Sequence, residues 1–455
     1  MPAGKTGKVV LFTIFYSILL LDLNMKRFPP LLLLIPALFI ILSCQKNDTP
    51  VKNGILPIVF VHGYSGSGDS YTKMIAYFRA NGYPANKLYT YDWNTLDLQS
   101  APKNTKPLRD FILDVLKKTG YDKVNLVGHS LGGSLTFNYC NNTEYAVSVN
   151  RLAWLAPYLK DRTQIPDSTI PTLNLRSNAD YVVTDTSTIP FAVNRVIPGK
   201  DHNEIASCKE SFVEIFKFFN DDKEPVTTIP EDDRILISGK VVSFLENAVG
   251  SGNTIEIYEV SANDGTRLST TPVSILHTDS KGYYPEFAAK KDTYYEFKVS
   301  TGRAADRPIH FYFEPFKNSS HVIYLRTFPP QSSFLNLGFN AIIPFSETQG
   351  VSIFFSVSKA VLLGRDALTI NGYDCVTSAF SQKEMNTLAY FMYDENKNNA
   401  SDYTSVALFS SATTFKGIDF SLPTTGFSTY TYNGRILHTP NWPSTSNGLS
   451  VALFY

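Results

Sequence analysis

Cysteine is scarce in this chain, four in 455 residues, which excludes a small scaffold stapled by disulfides. An excess of either charge is also lacking. The 41 Lys and Arg are matched by 41 Asp and Glu, so there is no basic footprint and no nucleic-acid partner is expected. Methionine is rare at 5, against 26 Tyr and 32 Phe, a balance that favours strand-rich architecture over helical bundles. Metal-site grammar is missing as well: there is no Cys-x-x-Cys, no His-Glu-x-x-His and no calcium loop, so neither a metal nor another cofactor is expected. What is present is ordinary globular composition, 43% hydrophobic and 18% charged, in a length that predicts two or three domains.

Two apolar runs open the chain, Val9 to Leu21 and Phe28 to Leu42, separated by Met25, Lys26 and Arg27. A methionine, two basic residues and a short apolar run are the n-region and h-region of an export signal, too short for a spanning helix. The run ends at Ile41-Leu42-Ser43-Cys44, which resembles a bacterial lipobox. That resemblance implies translation from Met25, lipidation of Cys44 and a mature chain that begins there. Residues 1–44 are therefore expected to be a leader and 45–54 a polar tether. The protein is expected in the cell envelope as an outer-membrane lipoprotein, attached through the several acyl chains on Cys44. Cys140, Cys208 and Cys375 remain, an odd number that allows at most one bridge, and they read as buried small hydrophobes.

From residue 55 to 222 short apolar runs alternate with helical patterns. Ile58 to Val61, Leu88 to Tyr91, Val124 to Val127, Leu152 to Leu155, Thr172 to Leu175 and Val193 to Ile197 read as buried strands. Tyr71 to Ala80, Pro107 to Lys118, Ser130 to Cys140 and Glu204 to Phe219 read as helices. Such alternation predicts a doubly wound, mostly parallel sheet. Residues 223–233 are polar and punctuated by proline, a linker. Beyond it the period becomes two, as in Ile255 to Val260 and Tyr295 to Val299, which predicts an all-β sandwich or barrel of antiparallel strands over 234–328. From 329 to 455 there are 20 aromatics but 14 charged residues. This stretch reads either as a second β module or as the second half of the same β domain.

Val124 to Val127 run into Gly128-His129-Ser130-Leu131-Gly132, a strand, then G-x-S-x-G, then a helix: the nucleophile elbow in its required context. Small residues two before and two after the serine are needed where backbones crowd, and the helix start turns its amides toward developing negative charge. Upstream, the first strand ends in His62-Gly63-Tyr64, so the backbone N–H groups of Tyr64 and Leu131 are the candidate oxyanion hole. Three histidines lie in the α/β region. His62 belongs to the oxyanion turn and His129 packs or orients the elbow, which leaves His202, in the loop after the last strand, as the base. Asp180 closes the run from Leu173 to Val183 at the carboxyl edge of the sheet and is the favoured acid, with Asp185 as the alternative and Asp201 disfavoured by its adjacency to the base. Ser130, Asp180, His202 is also the chain order of the fold.

These motifs, His62-Gly63, Gly128-His129-Ser130-Leu131-Gly132, Ser177-Asn178-Ala179-Asp180 and Asp201-His202, resemble the small bacterial lipases of the α/β-hydrolase superfamily and related esterases. Ile255 to Val260, Asp264 to Leu268, Tyr294 to Phe297 and Phe311 to Phe316 are similar to the C-terminal lipid-binding β domain of two-domain archaeal and bacterial lipases. The resemblance implies a minimal α/β hydrolase followed by a β region, and a serine carboxylester hydrolase acting on a lipid or other acyl ester. Two other readings stay open: a polyhydroxyalkanoate depolymerase or thioesterase of the same fold, and a surface protein that binds lipid or polymer with little catalysis.

Overall fold

The computed structural model describes residues 54–455, apart from 97–99, 164–169, 186, 304–305, 331, 334–335, 337–342 and 410–411. The expectations for the leader, for Cys44 and for the tether up to residue 53 lie outside them.

The α/β half is built on six parallel strands, β1 (Ile58–Val61), β2 (Leu88–Tyr91), β3 (Val124–His129), β4 (Val149–Leu155), β5 (Thr172–Arg176) and β6 (Val193–Val196). Their spatial order is β2-β1-β3-β4-β5-β6, so the winding reverses between β1 and β3. A crevice opens outside the carboxyl ends of the strands at such a reversal, and this is where open α/β sheets place their ligands. Among the described residues five α-helices accompany the sheet: α1 (Thr72–Ala80), α2 (Ser100–Thr119), α3 (Leu131–Cys140), α4 (Thr143–Ala146) and α5 (Lys209–Phe219). Alternate side chains of β1 face opposite ways. Ile58 and Phe60 join Phe78 of α1 and Phe212 and Phe216 of α5, whereas Val59 and Val61 join Ile112 of α2 and Leu135 of α3. Apolar cover on both faces explains why the central strands are continuous hydrophobic runs.

Three details depart from the sequence reading. Helix α2 begins at Ser100 and carries Pro107 inside it, although proline was expected at its start. The expected helix from Glu204 to Phe219 is instead a 3₁₀ turn at Glu204–Ala206 followed by α5. Helix α3 starts at Leu131, because Ser130 has left-handed φ and cannot open a helix.

The β region forms three sheets from β7 (Ile235–Ser243), β8 (Thr254–Val260), β9 (Ser274–His277), β10 (Tyr283–Ala289), β11 (Tyr294–Ser300), β12 (Ile309–Phe313), β13 (Ser320–Thr327), β14 (Ser352–Ser356), β15 (Leu368–Ile370), β16 (Tyr373–Asp374), β17 (Ala389–Tyr393), β18 (Phe415–Asp419), β19 (Phe427–Tyr432), β20 (Arg435–Pro440) and β21 (Leu449–Phe454). One sheet is β10-β7-β13, one is β16-β15-β19-β20, and the largest runs β18-β17-β14-β21-β12-β11-β8-β9. Two clusters of Phe, Tyr, Ile and Val fill the space between these layers, which makes the region a β sandwich. It is not wholly antiparallel as expected. The pairs β7–β13, β12–β21, β14–β21 and β17–β18 are parallel. A period of two marks the pleat and carries no strand direction, and long returns of the chain allow parallel neighbours. In the largest sheet, strands from either side of residue 329 are hydrogen-bonded, through β12 and β21.

The β region also packs on the α/β half. Val322 and Tyr324 of β13 enter the cluster beneath β1 and α1, and the ring nitrogen Nε2 of His321 donates to the Leu88 carbonyl, 3.0 Å away on edge strand β2. Edge carbonyls left bare invite foreign strands, and here the β region takes up the one of Leu88.

Candidate active site

Strand β3 delivers Ser130 to the crevice in a conformation (φ 52°, ψ −119°) that a side-chain-bearing residue adopts at a cost of about 1–3 kcal/mol. The surrounding backbone holds it there. The Ser130 N–H donates to Leu155 O (3.0 Å), and its carbonyl accepts from Gly133 N (2.8 Å) and Tyr158 N (2.9 Å). Two glycines are dictated by close approach. A Cβ on Gly132 would fall 2.2 Å from Val61 O, and one on Gly63 would fall 2.7 Å from Ser130 Cβ. The loop after β1 therefore lies directly against the serine.

The loops after β5 and β6 bring the imidazole and the carboxylate together. His202 Nδ1 donates to Asp180 Oδ2 at 2.7 Å, with both side chains almost fully buried. The other oxygen, Asp180 Oδ1, accepts the N–H groups of Val182 (2.8 Å) and Val183 (2.9 Å). Burial alone would raise the Asp180 carboxyl, but the His202 hydrogen bond and charge and the two amides outweigh it, and its pKa lies below the ordinary value. With Nδ1 committed to Asp180, the ring nitrogen left to face Ser130 is Nε2, which has no hydrogen-bond partner among the described residues. No bond joins it to the Ser130 hydroxyl in this structure. Such contacts commonly tighten only when substrate is bound.

His129 ties the two loops to each other. Its Nε2 donates to the His202 carbonyl at 2.7 Å, and the two rings lie 4.8 Å apart. Burial, assisted by the neighbouring His202, pulls the His129 pKa down to about 3, so the ring remains a neutral donor at working pH. Its orienting part was foreseen, but its acceptor was not. Asp185, the alternative acid, is mostly exposed, holds the Ser187 amide at 2.9 Å and has no contact with His202. Asp201 turns away from the ring and pairs with Arg365 of the β region at 2.7 Å.

The two candidate oxyanion donors are open. Leu131 is the first residue of α3, where an amide has no intrahelical acceptor, and the Tyr64 N–H has no acceptor among the described residues. The loop that carries Tyr64 is braced by residues that sequence reading missed. Asn247 Nδ2 donates to Gly66 O (2.8 Å) and Trp93 O (3.1 Å), and Arg326 Nη2 donates to Ser67 Oγ (2.6 Å) and Asp69 Oδ1 (2.8 Å). Asp92 accepts the Gly68 amide (2.9 Å) on one oxygen and Lys240 Nζ (2.9 Å) and Tyr324 OH (2.8 Å) on the other. No local signal marks these partners, since they lie more than a hundred residues downstream in a different pattern of strands. His62 is fully buried and uncharged, its pKa lowered by burial, and its Nδ1 donates to the Gly63 carbonyl at 2.9 Å. Among the described residues no group of three or more His, Cys, Asp or Glu is arranged to hold a metal ion.

A parallel sheet wound as described, with a strained serine at the switch point, is the α/β-hydrolase fold, here followed by a β sandwich. Residues 55–151 match the family model of lipase (class 2), and residues 233–330 match that of the lipase C-terminal domain. Together they give the order of a lipase with a C-terminal β domain. The first match spans Ser130 and ends before Asp180 and His202. Solved structures similar to the chain include the mature lipase of Bacillus licheniformis, at 16% identity over 37% of this chain and 95% of that one with a TM-score of 0.31. A methylesterase from Arabidopsis is 16% identical over 36% and 98%, with a TM-score of 0.29. The naproxen esterase of Bacillus subtilis is 14% identical over 37% and 85%, with a TM-score of 0.27.

Two outcomes follow from this geometry. Gly63→Ala must displace either the Tyr64 amide or Ser130, and ester turnover is expected to fall about 10²-fold, the cost of a lost oxyanion donor, with far-ultraviolet circular dichroism unchanged. For His129, the folded state refuses a proton that the unfolded chain accepts near pH 6.5, so its contribution to stability is complete above pH 6.5 and is lost as the pH falls toward about 3. His129→Gln keeps an N–H donor without this titration, and a plot of melting temperature against pH is expected to be flatter for the variant than for the wild type over that range.

Proposed function

We propose that this protein is an exported serine carboxylester hydrolase that cleaves acyl esters through an acyl-enzyme on Ser130. The single observation that carries the reading is the Asp180–His202 hydrogen bond of 2.7 Å, both members buried, held beside a serine in strained left-handed geometry. In the first half-reaction Ser130 Oγ bonds to the acyl carbon while its proton passes to His202 Nε2. Asp180 accepts Nδ1–H throughout, holding the tautomer and stabilising the imidazolium. The carbonyl π electrons move to oxygen, and this oxyanion accepts from the amides of Tyr64 and Leu131. Collapse breaks the C–O bond, and the departing alkoxide takes the proton from His202. Water then attacks the acyl-enzyme with His202 as base, the acid is released, and the proton returns to Ser130.

The class of substrate is supported by the surroundings. Tyr64, Tyr158, Tyr181 and Val182, each exposed, neighbour the reacting groups in chain or by hydrogen bond and offer apolar surface to an acyl chain. The class 2 lipase match points the same way. Export and lipidation at Cys44 rest on the grammar of residues 25–44.

Ser130→Ala is expected to lower turnover of p-nitrophenyl esters by about 10⁴-fold or more, and Asp180→Asn by about 10⁴-fold through the wrong imidazole tautomer. A fluorophosphonate should label wild-type protein at Ser130 and leave the alanine variant unlabelled. Undiminished turnover by Ser130→Ala would falsify the reading. Separately, Cys44→Ala should abolish incorporation of labelled palmitate in cells and shift the protein out of the membrane fraction. Palmitate retained at another residue would refute lipidation at this site.

A further inference from the structure

The carboxylate of Asp201, next to the imidazole in sequence, has its own work. It is almost fully buried. Asp201 Oδ1 accepts the N–H groups of Asn203 and Glu204, each at 2.9 Å, so the backbone on the far side of His202 is wrapped around it. Oδ2 accepts from Arg365 Nη1 at 2.7 Å, and the same nitrogen reaches Glu204 Oε2 at 3.0 Å. Arg365 lies in the connection between β14 and β15, more than 160 residues away in the β region. It is itself held there, with Nε on Asp366 Oδ2 (2.8 Å) and Nη2 on the Ala360 carbonyl, while Asp366 is fixed by Lys359 Nζ (2.6 Å), the Leu362 amide (3.0 Å) and Asn433 Nδ2 (2.9 Å). A second tie runs beside it: Ser207 Oγ donates to the Ser358 carbonyl at 2.7 Å.

We infer that Arg365 is a positioning residue for the proposed reaction: the β region supplies the cation that keeps Asp201 an ionised acceptor, and Asp201 sets the main chain on which His202 rides. A buried carboxylate without its cation is unstable as an anion and must take a proton or find water. Turning toward water takes Oδ1 off the Asn203 and Glu204 amides and lets the His202 main chain shift relative to Ser130, whereas a protonated Asp201 holds those amides only through a weaker, neutral oxygen. Asp180 acts on the ring and His129 on the carbonyl of the same residue, so the loop is held from three sides, one of them contributed by the other half of the chain. The β region is then a working part of the active site, beyond any affinity for substrate.

This inference rests on the proposed triad, and the experiment separates the two. Arg365→Met, Arg365→Lys, Asp201→Asn with Arg365→Met, and Ser130→Ala are assayed as full-length protein with p-nitrophenyl esters, alongside thermal melts. Arg365→Met is expected to lose roughly 10- to 100-fold in kcat with KM changed less than about threefold, since a displacement of ~1 Å in a catalytic group costs up to ~10² in rate. Arg365→Lys should recover part of the loss by restoring charge. The double variant should recover most of it, because Asp201→Asn keeps a side-chain oxygen that accepts both amides and leaves no bare charge. Wild-type kcat in Arg365→Met, or a double variant no better than the single, overturns the inference while an inert Ser130→Ala leaves the triad standing. An active Ser130→Ala overturns the triad itself. If Arg365→Met fails to fold, an active double variant supports the inference, and failure of both overturns it in favour of a purely structural contact.

Discussion

The architecture turns on a steric constraint at the switch point, where the turn leaving β1 and the turn leaving β3 occupy nearly the same space. The peptide of Gly132 passes so close to Val61 and His62 that no β-carbon fits, and Gly63 lies against the β-carbon of Ser130. Crowding on this scale accompanies the left-handed φ of Ser130, and it brings the turn that carries the Tyr64 amide against the serine at the start of α3. A loosely packed crevice could satisfy neither condition. Interiors as dense as organic crystals transmit such a requirement to the strands behind it, and the buried runs of β1, β3 and Leu152 to Leu155 of β4 are the backing against which the turn is held.

Backing of a different kind comes from buried charge. Asp92 meets Lys240, Asp69 meets Arg326 and Asp201 meets Arg365, and in each pair the carboxylate belongs to the α/β half and the cation to the β region. Buried pairs contribute little net stability, since desolvation consumes most of the Coulomb gain, but they tolerate few alternative arrangements. Their value here is register. Each carboxylate also accepts from a loop of its own half, Gly68 for Asp92, Ser67 for Asp69, Asn203 and Glu204 for Asp201. The cation of one half thus fixes a loop of the other, and the loops so fixed are the two that flank the serine. A separable accessory module would meet its neighbour through exposed, adjustable contacts. Here the core itself is shared, through Val322 and Tyr324.

Much of the α/β half could be read directly. All six strands were expected within two or three residues at their ends; the central ones are plain apolar runs because both their faces are covered, whereas β6, also expected to be buried, is an exposed edge strand. The elbow was legible because glycine spacing around a serine after a strand has one steric reason to exist. Asp180 and His202 were reached by elimination among few histidines and by the position of strand ends, and the structure brings these two side chains together while Asp185 lies mostly exposed. What was misread is equally physical. Pro107 sits inside α2 and the Glu204–Phe219 segment is broken, since helix ends are decided by packing as much as by local preference. Strand direction in the β region was invisible, because alternation of side chains is the same for parallel and antiparallel neighbours.

The amino-acid order by itself determined which residues are the candidates for the chemistry, a hydroxyl on a tight turn, an imidazole and a carboxylate at later strand ends, and where the hydrophobic period changes, after residue 222. Those are short-range properties, encoded within a few residues of each feature. Only the tertiary structure decided who holds them in place. Arg326, Lys240, Asn247 and Arg365 are ordinary members of β strands and loops until the chain folds back over the sheet, and pairing across more than a hundred residues leaves no trace in local spacing.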